Sequence, residues 1–525
     1  MKTYPIYTFM LACFLMIFTN ACKKNNEKRF EIEEITIAQL QEGYKSGKFS
    51  VEEITKAYLE RIAKLDDSGP MLNAVIQINP DALDIAKQLD KELREGKVRG
   101  PLHGVPILLK DNIDTHDKMP NTAGSVLMKN SFPLQDAWVA AKLRQAGAVI
   151  IGKTNLSEWA NFHSTYSSSG WSALGGQTKN PYDLSRNPCG SSSGSGAAVS
   201  ANLASLAIGT ETDGSIVCPA NNNGIVGIKP TVGLISRTGI IPISFTQDTP
   251  GPMARTLTDA VILLGALTGL DSTDAKTILS KGKSYTDYTV FLQPKSLKGK
   301  RIGWDKTQWG RRAPVDKVMQ QAIDFLKSQG AEVIEISNII DSKVEAAEFE
   351  IMLYEFKDGL NKYFKSLGDN AKIKNIEQLI KLQKEDTTEM KWFDHKLFEM
   401  AQQKASLEST EYKKLLTSML DGARKNGIDK IMDKYKLDAI VSPTGNPAWK
   451  TDMVNGDNVT LSSSSPAAIA GYPAISLPMG LINGLPVNVT FFGRAWSEPE
   501  LIKIAYSFEQ GTKHRKKPNF VNSNQ

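Results

Sequence analysis

Two turns rich in glycine and serine, separated by a run of small and apolar residues, constrain the fold of this chain more than any other feature. The turns lie at residues 190–196 (GSSSGSG) and 212–215 (TDGS), within the segment 186–231. Small residues let a backbone approach another backbone or a ligand closely. The run between the turns, residues 197–208, predicts a buried helix with a small-residue face. Because a flexible linker is not followed by such an apolar run, we interpret the segment as a packed polar site.

The first 21 residues have the pattern of an export signal. Lys2 precedes an apolar run over residues 4–19, which is too short for a comfortable membrane span. Ala21 and Cys22 then resemble a bacterial lipoprotein cleavage site, with Cys22 as the first mature residue. We therefore expect an exported protein, periplasmic or anchored to a membrane through a lipidated Cys22. Secretion without a lipid and an uncleaved core helix are the alternatives.

Charge and composition exclude some classes of partner. The 525 residues include 63 basic and 57 acidic side chains, so the net charge of +6 is mild for the length. No dense basic stripe with interleaved aromatic residues is present in the sequence, which argues against a nucleic acid partner. A hydrophobic content of 41% is typical of a soluble globular enzyme with a large core.

Cysteine usage does not indicate a disulfide scaffold. Once Cys13 is removed with the signal and Cys22 is set aside, only Cys189 and Cys218 remain. These two would lie close together if the two turns meet, so the sequence leaves open whether they form a disulfide. A thiol nucleophile at Cys218 is disfavoured by its apolar Ile-Val-Cys-Pro setting.

Helical and strand patterns alternate along most of the chain. Capping boxes predict helix starts at Thr36, Ser50 and Ser497. Helical patterns cover residues 136–147, 257–268, 315–329 and 500–510, and a variable helical layer covers 340–435. Strands are predicted at residues 74–78, 105–109, 148–151, 301–303, 332–336, 437–441, 474–477 and 487–492.

This alternation predicts an α/β fold with a sheet between helices. No linker interrupts residues 33–512, so we predict one large domain there. Residues 22–32 are predicted to form a linker, and residues 513–525 a basic and polar tail.

Lys110 stands at the end of a short buried apolar run, residues 105–109. A buried cation is costly unless it is paired or neutralised. Burial lowers the pKa of a lysine, which is how a lysine becomes a base at neutral pH. The alternative is a salt bridge to Asp111 or Asp114, and the position of Lys110 by itself leaves both interpretations open.

Residues 147–154 match the spacing of a phosphate-binding loop, with Gly147, Gly152, Lys153 and Thr154 at the required positions. Such a loop needs an open backbone nest after a strand. Here the intervening residues are themselves a predicted strand, so we interpret the match as chance.

A second competing pattern is G-x-S-x-G at residues 190–194, which would make Ser192 the nucleophile of an α/β-hydrolase. His395 or His514 would then be its downstream partner. That motif requires a buried strand before the serine, whereas residues 183–189 are polar and interrupted by proline. The context therefore disfavours this interpretation.

Five sequence blocks resemble the amidase signature family of serine hydrolases, and within it most closely the bacterial peptide amidases. They are PLHGVPILLKDN (101–112), GKTNLSEWANF (152–162), NPYDLSRNPCGSSSGSG (180–196), GTETDGSIVCPA (209–220) and GIVGIKPT (224–231). The resemblance extends over residues 40–510. It implies one large α/β domain with a mixed β-sheet covered by helices on both faces.

The resemblance also implies a triad without histidine. Ser215 matches the nucleophile, Ser191 the bridging serine held by a cis peptide bond from Gly190, and Lys110 the base. Asp213 stands where many members of the family have glycine. The backbone N–H groups that would line the oxyanion hole are those of Thr212, Asp213, Gly214 and Ser215.

These residues predict hydrolysis of a carboxamide to a carboxylate and ammonia through an acyl-Ser215 ester, with a C-terminal peptide amide as the favoured substrate. Fatty or aryl acyl amides are alternative substrates. No cofactor or metal is expected, since the sequence has no clustered His/Cys ligand set. A non-catalytic exported binding protein is disfavoured because Lys110, Ser191 and Ser215 are all present. Part of an amidotransferase that acts on charged tRNA is disfavoured by the export signal.

Overall fold

One mixed sheet of eleven strands runs through the residues that this computed structural model describes, 31–369 and 371–523. The strands along the chain are β1 (Val75–Ile78), β2 (Pro106–Lys110), β3 (Val149–Thr154), β4 (Trp171–Ser172), β5 (Gly176–Gln177), β6 (Leu206–Glu211), β7 (Val226–Lys229), β8 (Thr249–Ala254), β9 (Arg301–Asp305), β10 (Glu332–Ile336), β11 (Ala439–Pro443), β12 (Ala474–Ile482) and β13 (Leu485–Phe492). Their order in the sheet is β1-β3-β2-β6-β8-β7-β12-β13-β11-β9-β10, and β4 pairs only with β5.

Strands β2 and β6, with β3 beside them, form the part of the sheet that positions the site. β2 is parallel to β3 on one side and to β6 on the other. Every residue of these three strands is buried. Fully buried parallel strands are nearly continuous apolar runs, which explains the run that precedes Lys110. Side chains at the carboxyl ends of β2 and β6 are therefore brought together.

Helices pack on this sheet and build a separate layer in the second half of the chain. They are α1 (Ile37–Lys45), α2 (Val51–Leu65), α3 (Ala82–Arg94), α4 (Trp138–Gln145), α5 (Ser193–Ser200), α6 (Val217–Asn222), α7 (Leu257–Leu267), α8 (Ala313–Ser328), α9 (Ser342–Ser366), α10 (Ile376–Glu385), α11 (Lys396–Gln402), α12 (Thr410–Ala423), α13 (Asp429–Tyr435), α14 (Ser465–Ala470) and α15 (Glu498–Thr512). The capping boxes at Thr36 and Ser50 are confirmed, because each side chain accepts from the backbone N–H three residues later.

The predicted helical layer over residues 340–435 is confirmed and has its own apolar core. Phe356 and Phe364 of α9 pack with Phe398 of α11 and with Trp159, which belongs to the turn after β3. The ring centroids of Trp159 and Phe398 are 5.4 Å apart at 82°, an edge-to-face arrangement that aromatic pairs prefer. The layer is thereby attached to the turn that follows a central strand.

Two predictions about local structure are wrong. Residues 197–208 are not one helix, since α5 begins at Ser193 and ends at Ser200, and Leu206 already starts β6. Pairing of β6 between β2 and β8 outweighs the helical pattern of the run. Ser497 is the N-cap of α15 but forms no capping box, because its hydroxyl donates instead to the carbonyl of Arg494 at 2.7 Å.

From Ile32 onward the chain forms one compact unit, and the predicted single large α/β domain is confirmed. The segment predicted as a tail packs on this domain, where Arg515 pairs with Glu34 at 2.7 Å. The export signal at 1–21 and Cys22 lie outside the described residues and stay predictions. None of the helices that the structure describes is both long and apolar enough to cross a bilayer.

Gly194 tests how tightly α5 packs against the sheet. A Cβ there would lie 2.2 Å from the Ala74 carbonyl oxygen and 2.5 Å from that of Asn155, both backbone atoms. We expect Gly194→Ala to destabilise the protein by about 1–3 kcal/mol, as overpacked core positions do. Gly445→Ala is the control, because its Cβ would meet nothing closer than 3.4 Å. Thermal or denaturant unfolding measures both, and equal stabilities of the two variants would contradict this packing.

Candidate active site

Lys110 ends β2 with a fully buried side chain whose amine has three oxygen neighbours. Its Nζ lies 2.7 Å from Ser191 Oγ, 2.9 Å from Thr210 Oγ1 and 3.2 Å from the Thr210 carbonyl oxygen. Thr210 is the penultimate residue of β6, so the parallel pairing of β2 and β6 creates this contact. Asn112 Nδ2 donates to the same threonine hydroxyl at 3.0 Å.

The salt bridge considered for Lys110 is wrong. Asp111 points to Lys153, 3.8 Å away, and Asp114 accepts hydrogen bonds from Asn121 and Tyr363. Burial lowers the pKa of Lys110 to about 7, although the charges of Asp248 and Glu211 oppose the effect. A large fraction of Lys110 is therefore a neutral amine at neutral pH.

Ser191 enters the site from the first Gly/Ser turn. The Gly190–Ser191 peptide bond is cis, and α5 begins two residues later at Ser193. A Cβ at position 190 would lie 2.1 Å from Ser157 Oγ, so any residue larger than glycine would force the Ser157 side chain to move. The Ser191 hydroxyl is almost fully buried and lies within hydrogen-bond distance of the Lys110 amine.

Ser215 lies in the second turn, just before α6. Glu211 Oε2 accepts the backbone N–H groups of Ile216 at 2.7 Å and Val217 at 3.0 Å, which fixes the start of that helix. The Ser215 carbonyl accepts from the Ser192 N–H at 3.1 Å, so the two turns are joined by a backbone hydrogen bond. Ser215 is 9% exposed, and within the described residues its hydroxyl has no protein hydrogen-bond partner, Ser191 included.

The backbone N–H groups of Asp213, Gly214 and Ser215 donate to no protein acceptor in the part of the chain that the structure describes. Free donors in one turn can stabilise a developing oxyanion. The side chain of Asp213 points away into a buried carboxylate pair, since burial raises its pKa and that of neighbouring Glu348. Ser465 donates to Asp213 Oδ2 at 2.7 Å.

A disulfide closes the two turns. Cys189 and Cys218 have their sulfur atoms 1.98 Å apart and their Cα atoms 5.9 Å apart, which resolves what the sequence left open. One half precedes Gly190 and the other lies in α6 after Ser215. The disulfide therefore links the turn that carries Ser191 to the start of the helix that follows Ser215.

A cavity of about 810 Å³ opens beside these residues. Thr210 and Thr212 contribute polar side chains to its lining, and Ile240 and Ile243 contribute apolar ones. Leu367, next to the end of α9, also lines the cavity, so the helical layer forms part of its wall. Mixed lining of this kind suits a substrate with both a polar amide and an apolar side chain.

The competing interpretations have no support in the geometry. The Ser192 hydroxyl donates to the Thr210 carbonyl at 3.0 Å and accepts from the Thr210 N–H at 3.1 Å, which makes it a structural group. His395 instead faces Glu158, and no hydrogen bond joins a histidine to Ser192 among the described residues. The residues of the phosphate-loop match lie within β3 or just before it.

Three residues of the site were not identified from the sequence: Asn112, Thr210 and Glu211. All three lie inside the motif blocks at 101–112 and 209–220, and this position was the only sign in the sequence that they belong to the site. Their roles depend on how β2, β6 and α6 are arranged in space, and nothing in their spacing along the chain predicts that.

Comparison with known proteins agrees with this geometry. The Amidase family model matches residues 53–502. The chain belongs to the amidase family. It is an amidase signature enzyme, a hydrolase that acts on amide C–N bonds.

Three relatives illustrate the breadth of this amidase family. The crystal structure of native peptide amidase from Stenotrophomonas maltophilia is 47% identical, with a TM-score of 0.89 over 94% of this chain and 100% of that one. A probable amidase of Arabidopsis thaliana is 40% identical over 98% of this chain and 97% of its own. One subunit of the glutamyl-tRNA(Gln) amidotransferase of Thermoanaerobacter pseudethanolicus is 35% identical over 94% of this chain and 99% of its own.

The disulfide predicts a thiol count. Denatured protein purified without reductant and spanning residues 31–525 should give no reactive thiol, because Cys189 and Cys218 are bonded to each other. The same protein should give two thiols after reduction. Cys189→Ser, which leaves Cys218 alone, should give one thiol without reduction and serves as the control. Two thiols in the unreduced wild-type protein would show that the bond is absent.

Proposed function

We propose that this amidase hydrolyses the C-terminal amide of a peptide to a carboxylate and ammonia, with Ser215 as the nucleophile. The observation that supports the proposal most strongly is the contact between the buried Lys110 amine and the Ser191 hydroxyl. The choice of a peptide amide is supported by the 47% identity to the Stenotrophomonas maltophilia peptide amidase.

In the proposed mechanism, neutral Lys110 takes a proton from Ser191, which takes one from Ser215. A neutral amine can donate its two N–H groups to the two Thr210 oxygens and accept from the Ser191 hydroxyl. A protonated amine can donate one N–H to each of the same three oxygens. Both protonation states of Lys110 are therefore satisfied without rearrangement, which suits a group that receives a proton and returns it to the leaving amine.

Attack by Ser215 on the amide carbon produces a tetrahedral oxyanion. We propose that the N–H groups of Asp213, Gly214 and Ser215, with Thr212 beside them, stabilise it. Loss of one such donor typically raises the barrier by about 2.7–4 kcal/mol. Expulsion of ammonia gives the acyl-Ser215 ester, and water activated along the same proton path releases the acid.

The proton path predicts a specific dependence on pH and on residue 110. We expect kcat/KM to rise with pH and level off above about 7, because the protonated Lys110 cannot accept a proton and burial brings its pKa to that value. Lys110→Met should lower kcat/KM by about 10²–10⁴-fold. Lys110→Arg should be inactive at every pH, since arginine stays protonated in proteins and cannot accept the proton.

Ser215→Ala and Ser192→Ala are the matched pair for the measurement of kcat/KM, because each changes one serine in one of the two Gly/Ser turns. Ser215→Ala should abolish hydrolysis, whereas Ser192→Ala should retain the nucleophile and most of the activity if it folds, as checked by circular dichroism. Full activity of Lys110→Met, or loss of activity in folded Ser192→Ala with retention in Ser215→Ala, would disprove the proposed triad.

The substrate class is tested by ammonia release from a panel of peptide amides, fatty acid amides, aryl acyl amides and free amino-acid amides. We expect the highest kcat/KM with peptide amides, because the cavity of about 810 Å³ combines apolar and polar lining. A preference for fatty or aryl amides would replace the peptide amide assignment and keep the mechanism. No hydrolysis of any amide by folded protein would favour a non-catalytic binding protein.

A further inference from the structure

A cluster of four buried side chains lies outside the catalytic region and is not explained by the proposed mechanism. Glu158 and His163 belong to the turn after β3 and the chain just beyond it, whereas Glu389 and His395 come from the segment between α10 and α11. All four are buried, and Glu158 and Glu389 are completely so. One nitrogen or oxygen atom each from Glu158, His163 and His395 lies within 4.8 Å of the others.

Outside the cluster itself, the described residues offer no hydrogen-bond partner to four of its polar atoms. They are Glu158 Oε1, Glu389 Oε2, His163 Nδ1 and His395 Nδ1. His395 Nε2 is paired with the Glu389 carbonyl oxygen at 3.4 Å, and it lies 3.8 Å from the inward oxygen of Glu158 and 3.7 Å from that of Glu389, too far for hydrogen bonds. A buried polar atom without a partner is costly, so four of them in one place require an explanation.

The two carboxylates also lack a cationic side chain. No lysine or arginine forms an ion pair with Glu158 or Glu389 among the described residues, and their only ion-pair candidate is His395. The Glu158 and Glu389 carboxyl groups instead face each other within hydrogen-bond reach. Neutral imidazole nitrogens and carboxylate oxygens are the donors that a divalent transition metal prefers.

The remaining oxygen of each carboxylate is already held by the protein. Glu158 Oε2 accepts the backbone N–H of Ala173. Glu389 Oε1 accepts the Ser125 hydroxyl and the Val126 N–H, each at 2.7 Å. Metal-binding carboxylates are typically oriented in this way, with one oxygen fixed by a donor and the other turned toward the ion.

We propose that Glu158, His163, His395 and Glu389 bind one Zn²⁺ ion. A tetrahedral Zn²⁺ ion keeps its nitrogen and oxygen ligands about 3.4 Å apart, so the Glu158, His163 and His395 atoms, which lie within 4.8 Å of one another, need to close by up to about 1.4 Å. The Glu389 oxygen lies 3.7 Å from His395 Nε2. Four protein ligands and complete burial make the site structural, with no open position for substrate. The role of such an ion differs from the reaction chemistry, for which the sequence predicts no metal.

The location indicates what the ion does. It joins the segment between α10 and α11 to the turn Glu158–Asn161 after β3. Ala160 of that turn lines the cavity beside Thr210 and Thr212. The ion therefore holds the helical layer against the part of the domain that shapes the cavity.

The direct test is metal analysis of the wild-type chain. Protein produced with zinc in the medium and purified without chelator should contain one Zn²⁺ per chain, as measured by inductively coupled plasma mass spectrometry. Removal of the ion by a chelator should lower Tm by about 2–4 °C, and added Zn²⁺ should restore it. Folded protein with neither bound zinc nor a Tm response to zinc would overturn the proposal.

Variants locate the ion. His163→Asn and His395→Asn should each abolish stoichiometric Zn²⁺, whereas His116→Asn, a change at an exposed histidine, should keep it. Ser125→Ala removes the hydroxyl that donates to Glu389 and accepts from the Leu127 N–H, and it should weaken Zn²⁺ binding about 10- to 100-fold. Replacement of zinc by Co²⁺ should give the visible absorption of a tetrahedral site. If the Co²⁺ absorption is unchanged in both histidine variants, the metal lies elsewhere and the assignment is overturned. If these variants do not fold, the zinc content and the Tm response of the wild-type protein decide.

Discussion

The burial of a single amine at the end of a central strand is the constraint on which the candidate active site depends. An isolated ammonium in an apolar interior is strongly disfavoured, so Lys110 needs polar neighbours or must lose its proton. The surrounding structure allows both, because Thr210 and Ser191 supply three oxygens within hydrogen-bond distance. A strand buried on all sides thus ends in a group whose two charge states are close in free energy at neutral pH.

The two Gly/Ser turns are held in place by interactions of different kinds. The Ser192 N–H donates to the Ser215 carbonyl, Glu211 caps the start of α6, and the disulfide joins Cys189 to Cys218. Each interaction uses the backbone or a side chain that takes no part in the proposed chemistry. Preorganisation of this kind is what lets free N–H groups act on a developing charge without reorganising first.

Buried carboxylates surround the site and are compensated in several ways. Asp111 faces Lys153, and Asp213 lies against Glu348 with a serine hydroxyl donating to it. Among the described residues, the inward oxygens of Glu158 and Glu389 contact each other and receive no hydrogen bond from any other group. The contrast supports a bound cation there, because a buried carboxylate oxygen needs a donor or a positive charge nearby.

Much of the architecture is determined by the sequence itself, since helix capping, apolar runs and turn residues act locally. The alternating elements, the apolar run before Lys110 and the two turns could all be identified from residue patterns. The tertiary structure alone decided which distant groups meet: Lys110 with Thr210, Cys189 with Cys218, and Glu158 with His395. It also ended α5 at Ser200, where the pairing of β6 outweighed helical propensity. These contacts depend on the strand order of the sheet, and no local pattern carries that order because it arises from burying all the elements together.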